Sequence, residues 1–382
     1  MKTISAFLLF LTLLIPHSFA CAFDKPLSPE TTGSHYPHIL KTNVFELNTR
    51  NVKALKQIKN NLWIGTSMGA IRYATDSHED YAIFDNQSGL LSNGIFNIVT
   101  DPQGSPWIGT YGGGVSFLKD GKWTNVNTPQ GLCDAFVYDI KFSGQDTWIA
   151  TWSGANRVRG DLFDRSSWQA FTKENTNGGL IDNWVYAIEL GKNGSIWFGT
   201  ESGVSSYNGK QWQSWNHKNG LSADYSRVEQ DNIGSVDYLQ GEHHSGHNSA
   251  SSPSQNYRPD YVVSMRMDQK QRLWVGTWGG GLTQLDTVNN TTRVYTVKDG
   301  LPGNYILALK EGPDGNLWIG TNKGLSRFDG ETFTNFSKLN GLSGNYIFSL
   351  EFGPDHSIWT GTHYAVNQFW RTPKDDDFEK LQ

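Results

Sequence analysis

Apolar and polar residues alternate along this chain in short bursts, each closed by a cluster of Gly, Asp, Asn or Pro. One burst is Asn304-Tyr305-Ile306-Leu307-Ala308-Leu309, ended by Gly312-Pro313-Asp314-Gly315-Asn316. Leu317-Trp318-Ile319-Gly320-Thr321 follows, and Asn322-Lys323-Gly324 leads into Leu325-Ser326-Arg327-Phe328. Asp329-Gly330 then opens Thr332-Phe333-Thr334-Asn335-Phe336. Period-two runs separated by tight-turn residues predict four antiparallel strands joined in sequence.

The same unit returns along the chain. A Trp-x-Gly-Thr signature starts at Trp63, Trp107, Trp148 (with Ala150 in place of Gly), Trp197, Trp274, Trp318 and Trp359. The spacing is 41 to 49 residues except between Trp197 and Trp274, where it is 77. Periods of this length with four strands each predict an all-β fold, a seven-bladed β-propeller of four-stranded antiparallel blades. The last repeat offers only Ala365-Val366-Asn367-Gln368-Phe369-Trp370 after its Trp motif, one strand short. Thr42-Asn43-Val44-Phe45-Glu46-Leu47 alternates like a strand but has no repeat of its own. The N-terminal strand is therefore expected to complete the last blade, which removes two exposed edges.

This reading divides the chain into a signal peptide at 1–22, a flexible leader at 23–41, the propeller at 42–371 and a polar tail at 372–382. The long interval is an insertion at about 222–259, rich in Ser, Gly and His, of the kind that forms lids or disordered loops. Lys2, the apolar run Ala6 to Ile15, Pro16 and a small-x-small site near Ala20 make the signal-peptide pattern. The run is too short to cross a bilayer core of about 30 Å. A periplasmic or secreted protein is expected.

Cys21 stands where a lipoprotein cysteine would, but Ser18 occupies the position that wants a bulky apolar residue. A lipid anchor is thus disfavoured. A Cys21–Cys133 disulfide is open in an oxidising compartment, with a free, packed Cys133 the preferred alternative. Charged residues are 18% of the chain, the formal net charge is −5, and no basic block exists. That argues against nucleic acid or an anionic membrane surface as partner.

In a propeller, the loops between second and third strands share one face with the loops that link neighbouring blades. Aligning the repeats places Asn51, Gly94, Phe136, Trp184, Tyr261, Tyr305 and Tyr346 where the innermost strand begins. The other loops contribute Tyr111, Trp152, Glu201, Trp278, Lys323, His363 and Tyr364. Aromatic faces with polar neighbours such as Asp182, Asn183, Asp260, Asn304 and Asn345 suit a sugar-like ligand, whose C–H face stacks while its hydroxyls hydrogen-bond. The candidate ligand-binding set is Tyr111, Trp152, Trp184, Glu201, Tyr261, Trp278, Tyr305, Lys323, Tyr346, His363 and Tyr364.

The core Leu-Trp-Ile-Gly-Thr-x-x-Gly-Leu/Val-x-x-Phe, followed by Asn-Gly-Leu-x-x-Asn, resembles the two-component-regulator propeller repeats over about residues 43–371. The resemblance implies ligand sensing, often of oligosaccharides, in the periplasmic part of hybrid histidine kinases. This sequence carries one ring and no stretch resembling a transmembrane helix, kinase or receiver, so a separate membrane signalling protein is the expected partner. A cell-envelope interaction scaffold using the insertion is the first alternative. A metal-assisted lyase or hydrolase, similar to the streptogramin-inactivating propellers, is the second, with Glu201, His217 and His363 as its candidates. No catalytic triad, paired-carboxylate motif or cofactor signature stands out. His243 and His247, four apart in the insertion, read as solvated residues more readily than as metal ligands.

Overall fold

The Trp of each repeat ends up between two sheets, and this explains why it recurs. In the computed structural model, residues 41–47, 51–77, 80–232 and 257–370 are described. The expected signal peptide, Cys21, the tail and the insertion between 233 and 256 lie outside them. The described strands form seven four-stranded antiparallel sheets. In blades 1 to 6 the four strands follow one another in sequence order. Their first strands are Ala54–Ile58, Ile95–Thr100, Val137–Ser143, Val185–Leu190, Arg258–Met267 and Ile306–Glu311.

Blade 7 contains Ser349–Phe352, Ile358–Gly361 and Ala365–Trp370, and its outer strand is Lys41–Glu46. That strand runs antiparallel to Ala365–Trp370, with Phe45 opposite Val366. Each blade's first strand touches the first strand of the next, and Ser349–Phe352 touches Ala54–Ile58. The ring of seven is closed by the N-terminal strand, as the repeat count requires.

Trp318 packs with Leu325 and Phe336 of its own blade and with Ile347, Leu350 and Phe369 of the next, and is 1% exposed. Burying a side chain of this size contributes about 3 kcal/mol. The Gly and Thr that follow have separate jobs. A Cβ on Gly320 would stand 2.6 Å from the Ile347 carbonyl oxygen of the neighbouring inner strand, so only glycine lets the blades approach this closely. The Thr321 hydroxyl donates to the Gly324 carbonyl at 2.8 Å and ties the hairpin, and the corresponding Thr does so in every blade.

The Gly-Leu pairs after the fourth strands end short 3-10 turns. At Val297–Asp299, Thr296 and Asp299 form a capping box and Gly300 adopts φ 112°, a conformation that glycine reaches without steric cost. Leu301 then drops into the core, 2% exposed. Of the insertion, the helix Tyr225–Asn232 is described. Its Arg227 reaches Asp299 at 2.6 Å and the Val294 carbonyl at 3.2 Å, which fixes the start of the insertion to blade 5.

Candidate functional site

In blades 2 to 6 the pairing of the first two strands skips a single residue of the inner strand near its start, and blade 5 has a second register shift just before it, between Arg258 and Val262. The skipped residues are Phe96, Tyr138, Tyr186, Val263 and Leu307. A β-bulge leaves its extra residue unpaired and re-aims the side chain. Here it brings three rings together across blade boundaries. Phe96 and Tyr138 stack with centroids 4.6 Å apart, Tyr138 and Tyr186 meet at 4.8 Å, and Tyr186 meets Tyr261 at 4.7 Å.

Beside this row runs a second one, built from the expected loop residues. Tyr111 lies edge-on to Phe136 at 4.6 Å, Phe136 to Trp152 at 4.8 Å, and Trp152 to Trp184 at 5.2 Å. The rows join where Tyr111 meets Phe96 at 5.5 Å. The belt continues from Tyr261 to Trp278 at 5.6 Å and from Trp278 to Tyr305 at 5.4 Å. An unbroken series of ring contacts thus spans blades 2 to 6. Blade 7 carries a smaller group, Tyr346, Phe348, His363 and Tyr364.

These rings differ in what they offer a ligand. Tyr111 and Tyr364 are exposed, at 42% and 52%. Trp152, Trp184, Trp278, Lys323, Tyr346 and His363 are half-buried, as are Phe96, Tyr138 and Tyr186. Tyr261 and Tyr305 are buried, at 7% and 2%, and serve chiefly as a wall behind the others.

Charge is concentrated at one point of the belt. The Glu201 carboxylate is paired with Arg258 at 3.2 Å. Burial above all, with the Glu201 charge adding to it, pushes the Tyr138, Tyr186 and Tyr261 phenols well above their ordinary range. They stay protonated. Lys53 of blade 1 holds its ammonium 5.1 Å from the Phe96 ring centre, a cation–π contact at the blade 2 end of the belt. The arrangement combines stacking faces, phenol donors and one carboxylate.

The polar residues expected beside the rings do something else. Asn183, Asp260, Asn304 and Asn345 each accept a backbone N–H, from Lys173, His217, Val297 and Lys338 at 2.7, 2.5, 3.0 and 3.0 Å. Asp182 accepts from the Trp184 N–H at 2.9 Å and from the Ser202 hydroxyl at 2.5 Å. They hold the inter-blade loops in place, because a loop crossing between blades has backbone groups that no sheet satisfies. Their regular recurrence was itself the sign of a structural job.

His217 bonds Ser222 at 2.8 Å through Nδ1 and stands 3.3 Å from Asp224, supporting the root of the insertion. Glu201 is engaged by Arg258, and His363 lies on blade 7. Among the described residues, no three His, Cys, Asp or Glu gather as a metal ion would need. Cys133 is free, with its thiol against the Ala155 carbonyl at 3.7 Å.

Phe96, Tyr138, Tyr186 and Phe348 were not among the sequence candidates. Their signal is the pair of consecutive apolar residues at the start of each inner strand, Ile95-Phe96, Val137-Tyr138, Val185-Tyr186 and Ile347-Phe348, which breaks strict alternation.

The family model described as the two-component regulator propeller matches residues 179–202 and 300–323. Among solved structures, an extracellular domain from B. thetaiotaomicron, described as part of a hybrid two-component system, matches at TM-score 0.68 and 21% identity, covering 91% of this chain and 43% of that one. An extracellular domain of a one-component system from the same organism matches at 0.63 and 19%, covering 88% and 40%. Virginiamycin B lyase from Staphylococcus aureus matches at 0.59 and 11%, covering 87% and 100%. At these identities the likeness is one of fold, and the chain spans less than half the length of the two B. thetaiotaomicron domains. No curated protein matches the chain. No helix among the described residues is long and apolar enough to cross a membrane.

Proposed function

We propose that this propeller is an exported ligand-binding module of a sensory system, taking a carbohydrate-like ligand on the aromatic crescent of blades 2 to 5 and acting through a separate signalling protein. The observation that carries this reading is the crescent. Tyr138 and Trp152 stand in two contacting rows of half-buried rings, with phenol donors and the Glu201 carboxylate beside them. A pyranose has an apolar C–H face and a rim of hydroxyls, and it needs that pairing of flat face and hydrogen-bonding edge. Export and coupling to a partner are carried over from the extracellular two-component domains that share the fold, and the signal-like N-terminus agrees with export.

Isothermal titration of the mature chain with oligosaccharide fragments tests the reading. Saturable binding to one fragment class, weakened by Trp152→Ala, supports it. Binding that Trp152→Ala and Trp278→Ala both leave intact would move the ligand elsewhere.

A further inference from the structure

We propose that the axial channel binds a small oxyanion (sulfate, phosphate or a carboxylate) between Arg266 of blade 5 and Lys310 of blade 6. The site is independent of the crescent. It lies three residues further along the inner strands than the bulged residues, about 10 Å at the usual strand rise.

The residue paired with each motif Trp in the inner strand is Lys56, Lys141, Glu189, Arg266, Lys310 or Glu351 in six blades, and Val99 in blade 2. Inner strands of neighbouring blades touch, so these side chains form one charged ring. Its carboxylates are already committed. Glu189 pairs with Lys141 at 3.2 Å and accepts the Met267 N–H at 3.1 Å. Glu351 pairs with Lys310 at 2.7 Å, faces Lys56 at 3.8 Å, and accepts the Phe352 N–H at 3.0 Å. Asp139, one level nearer the mouth, takes Lys141 at 3.5 Å, Asn97 at 3.1 Å and the Ile140 and Ile188 N–H groups, each at 2.9 Å.

Arg266 is the exception. It has no salt bridge to any of these carboxylates, and its Nε is buried without a hydrogen-bond partner. Its neighbour in ring order on the blade 6 side is another cation, Lys310, with no carboxylate between them. Burial lowers the Lys310 ammonium's pKa against the opposing charge of Glu351, and the charges of Lys56 and Arg266 add to the lowering. A buried guanidinium donor left unmade is costly, and two adjacent cations repel. One oxyanion between them answers both, with the fork of Arg266 giving paired hydrogen bonds and Lys310 a point charge.

The test is thermal unfolding of the intact chain at constant ionic strength, with sodium sulfate or sodium glucuronate replacing chloride. Sulfate should raise Tm saturably. A free anion fills the site if sulfate acts alone, and an acidic sugar supplies the oxyanion if glucuronate acts more strongly. Arg266→Gln should hold its Tm in chloride, since it relieves repulsion, yet lose the response. Arg266→Lys should keep the response with affinity about tenfold weaker. Selenate soaked into crystals should give an anomalous peak within hydrogen-bond reach of Arg266. No saturable response to either anion, an equal response in Arg266→Gln, or selenate found only elsewhere would overturn the assignment.

Discussion

The Tyr138 ring stacks on the Phe96 ring with centroids 4.6 Å apart and planes 28° apart, each ring supplied by a different blade. The bulges at these two positions make the contact possible, because they release one side chain per inner strand from the alternation that would bury it. The same local irregularity, repeated, turns the inner strands of blades 2 to 4 into a stacking surface.

Not every aromatic of the belt should matter in the same way. Tyr305 is 2% exposed and packs edge-on to Trp278, so Tyr305→Ala should cost roughly 3 kcal/mol of stability through the cavity it leaves. Trp152 is half-buried at the rim, and Trp152→Ala should cost clearly less. Urea denaturation of the two variants side by side checks the contrast. Equal losses would mean the rim ring is as structural as the wall.

Gly320→Ala places a methyl group 2.6 Å from the Ile347 carbonyl oxygen, so blades 6 and 7 must part. The expected loss is roughly 1–3 kcal/mol. Blade 3 carries Ala150 at this place, fully buried, so Ala150→Gly is the informative comparison and should cost about 1 kcal/mol or less. Differential scanning of both variants settles the sign.

Closure of the ring rests on the N-terminal strand. Phe45 stacks on Trp359 at 5.8 Å and contacts Tyr73 of blade 1 at 5.3 Å, joining the last blade to the first. Phe45→Ala should lower stability by roughly 2 kcal/mol and speed hydrogen exchange in Ala365–Trp370 first. Uniform exchange across all blades would contradict a closure held at this seam.

Burial pushes the Cys133 thiol up to about 11, with the nearby Asp134 charge adding to it and the Asn156 hydrogen bond opposing. Roughly a thousandth of it is ionised at pH 8, so a thiol reagent should react slowly there and much faster as pH rises toward 11. The folded value lies above the ordinary 9.0. The stability linked to this group is therefore full below that value and is lost as pH rises through about 11. Fast labelling at pH 8 would mean that the site opens or that the thiol is less buried.

The seven Trp residues and the missing fourth strand of the last repeat made the ring legible from residues alone, since each is a repeated local pattern. The site was legible only in part. Tyr111, Trp152 and Trp278 differ from their repeat equivalents and could be picked out, but Tyr138 and Tyr186 sit one residue out of phase with the strand period, and a bulge is needed to explain them. Asn183, Asp260, Asn304 and Asn345 each hold a loop backbone N–H, a role their sequence positions did not show. A polar residue at a loop reads as ligand-facing until its backbone partner is seen. Arg266 shows the same limit, because what it lacks can be judged only with the neighbouring blades in place.

The proposed function stands on ligand binding at the crescent around Tyr138. Its most direct test is retention of the chain on an array of neutral and acidic oligosaccharides, run beside a Tyr138→Ala variant of verified fold. One structurally related set of sugars should be held by the parent chain and held about tenfold more weakly by the variant, from loss of a stacking face. Retention of no sugar, or equal retention of the same sugars by both proteins, would contradict it.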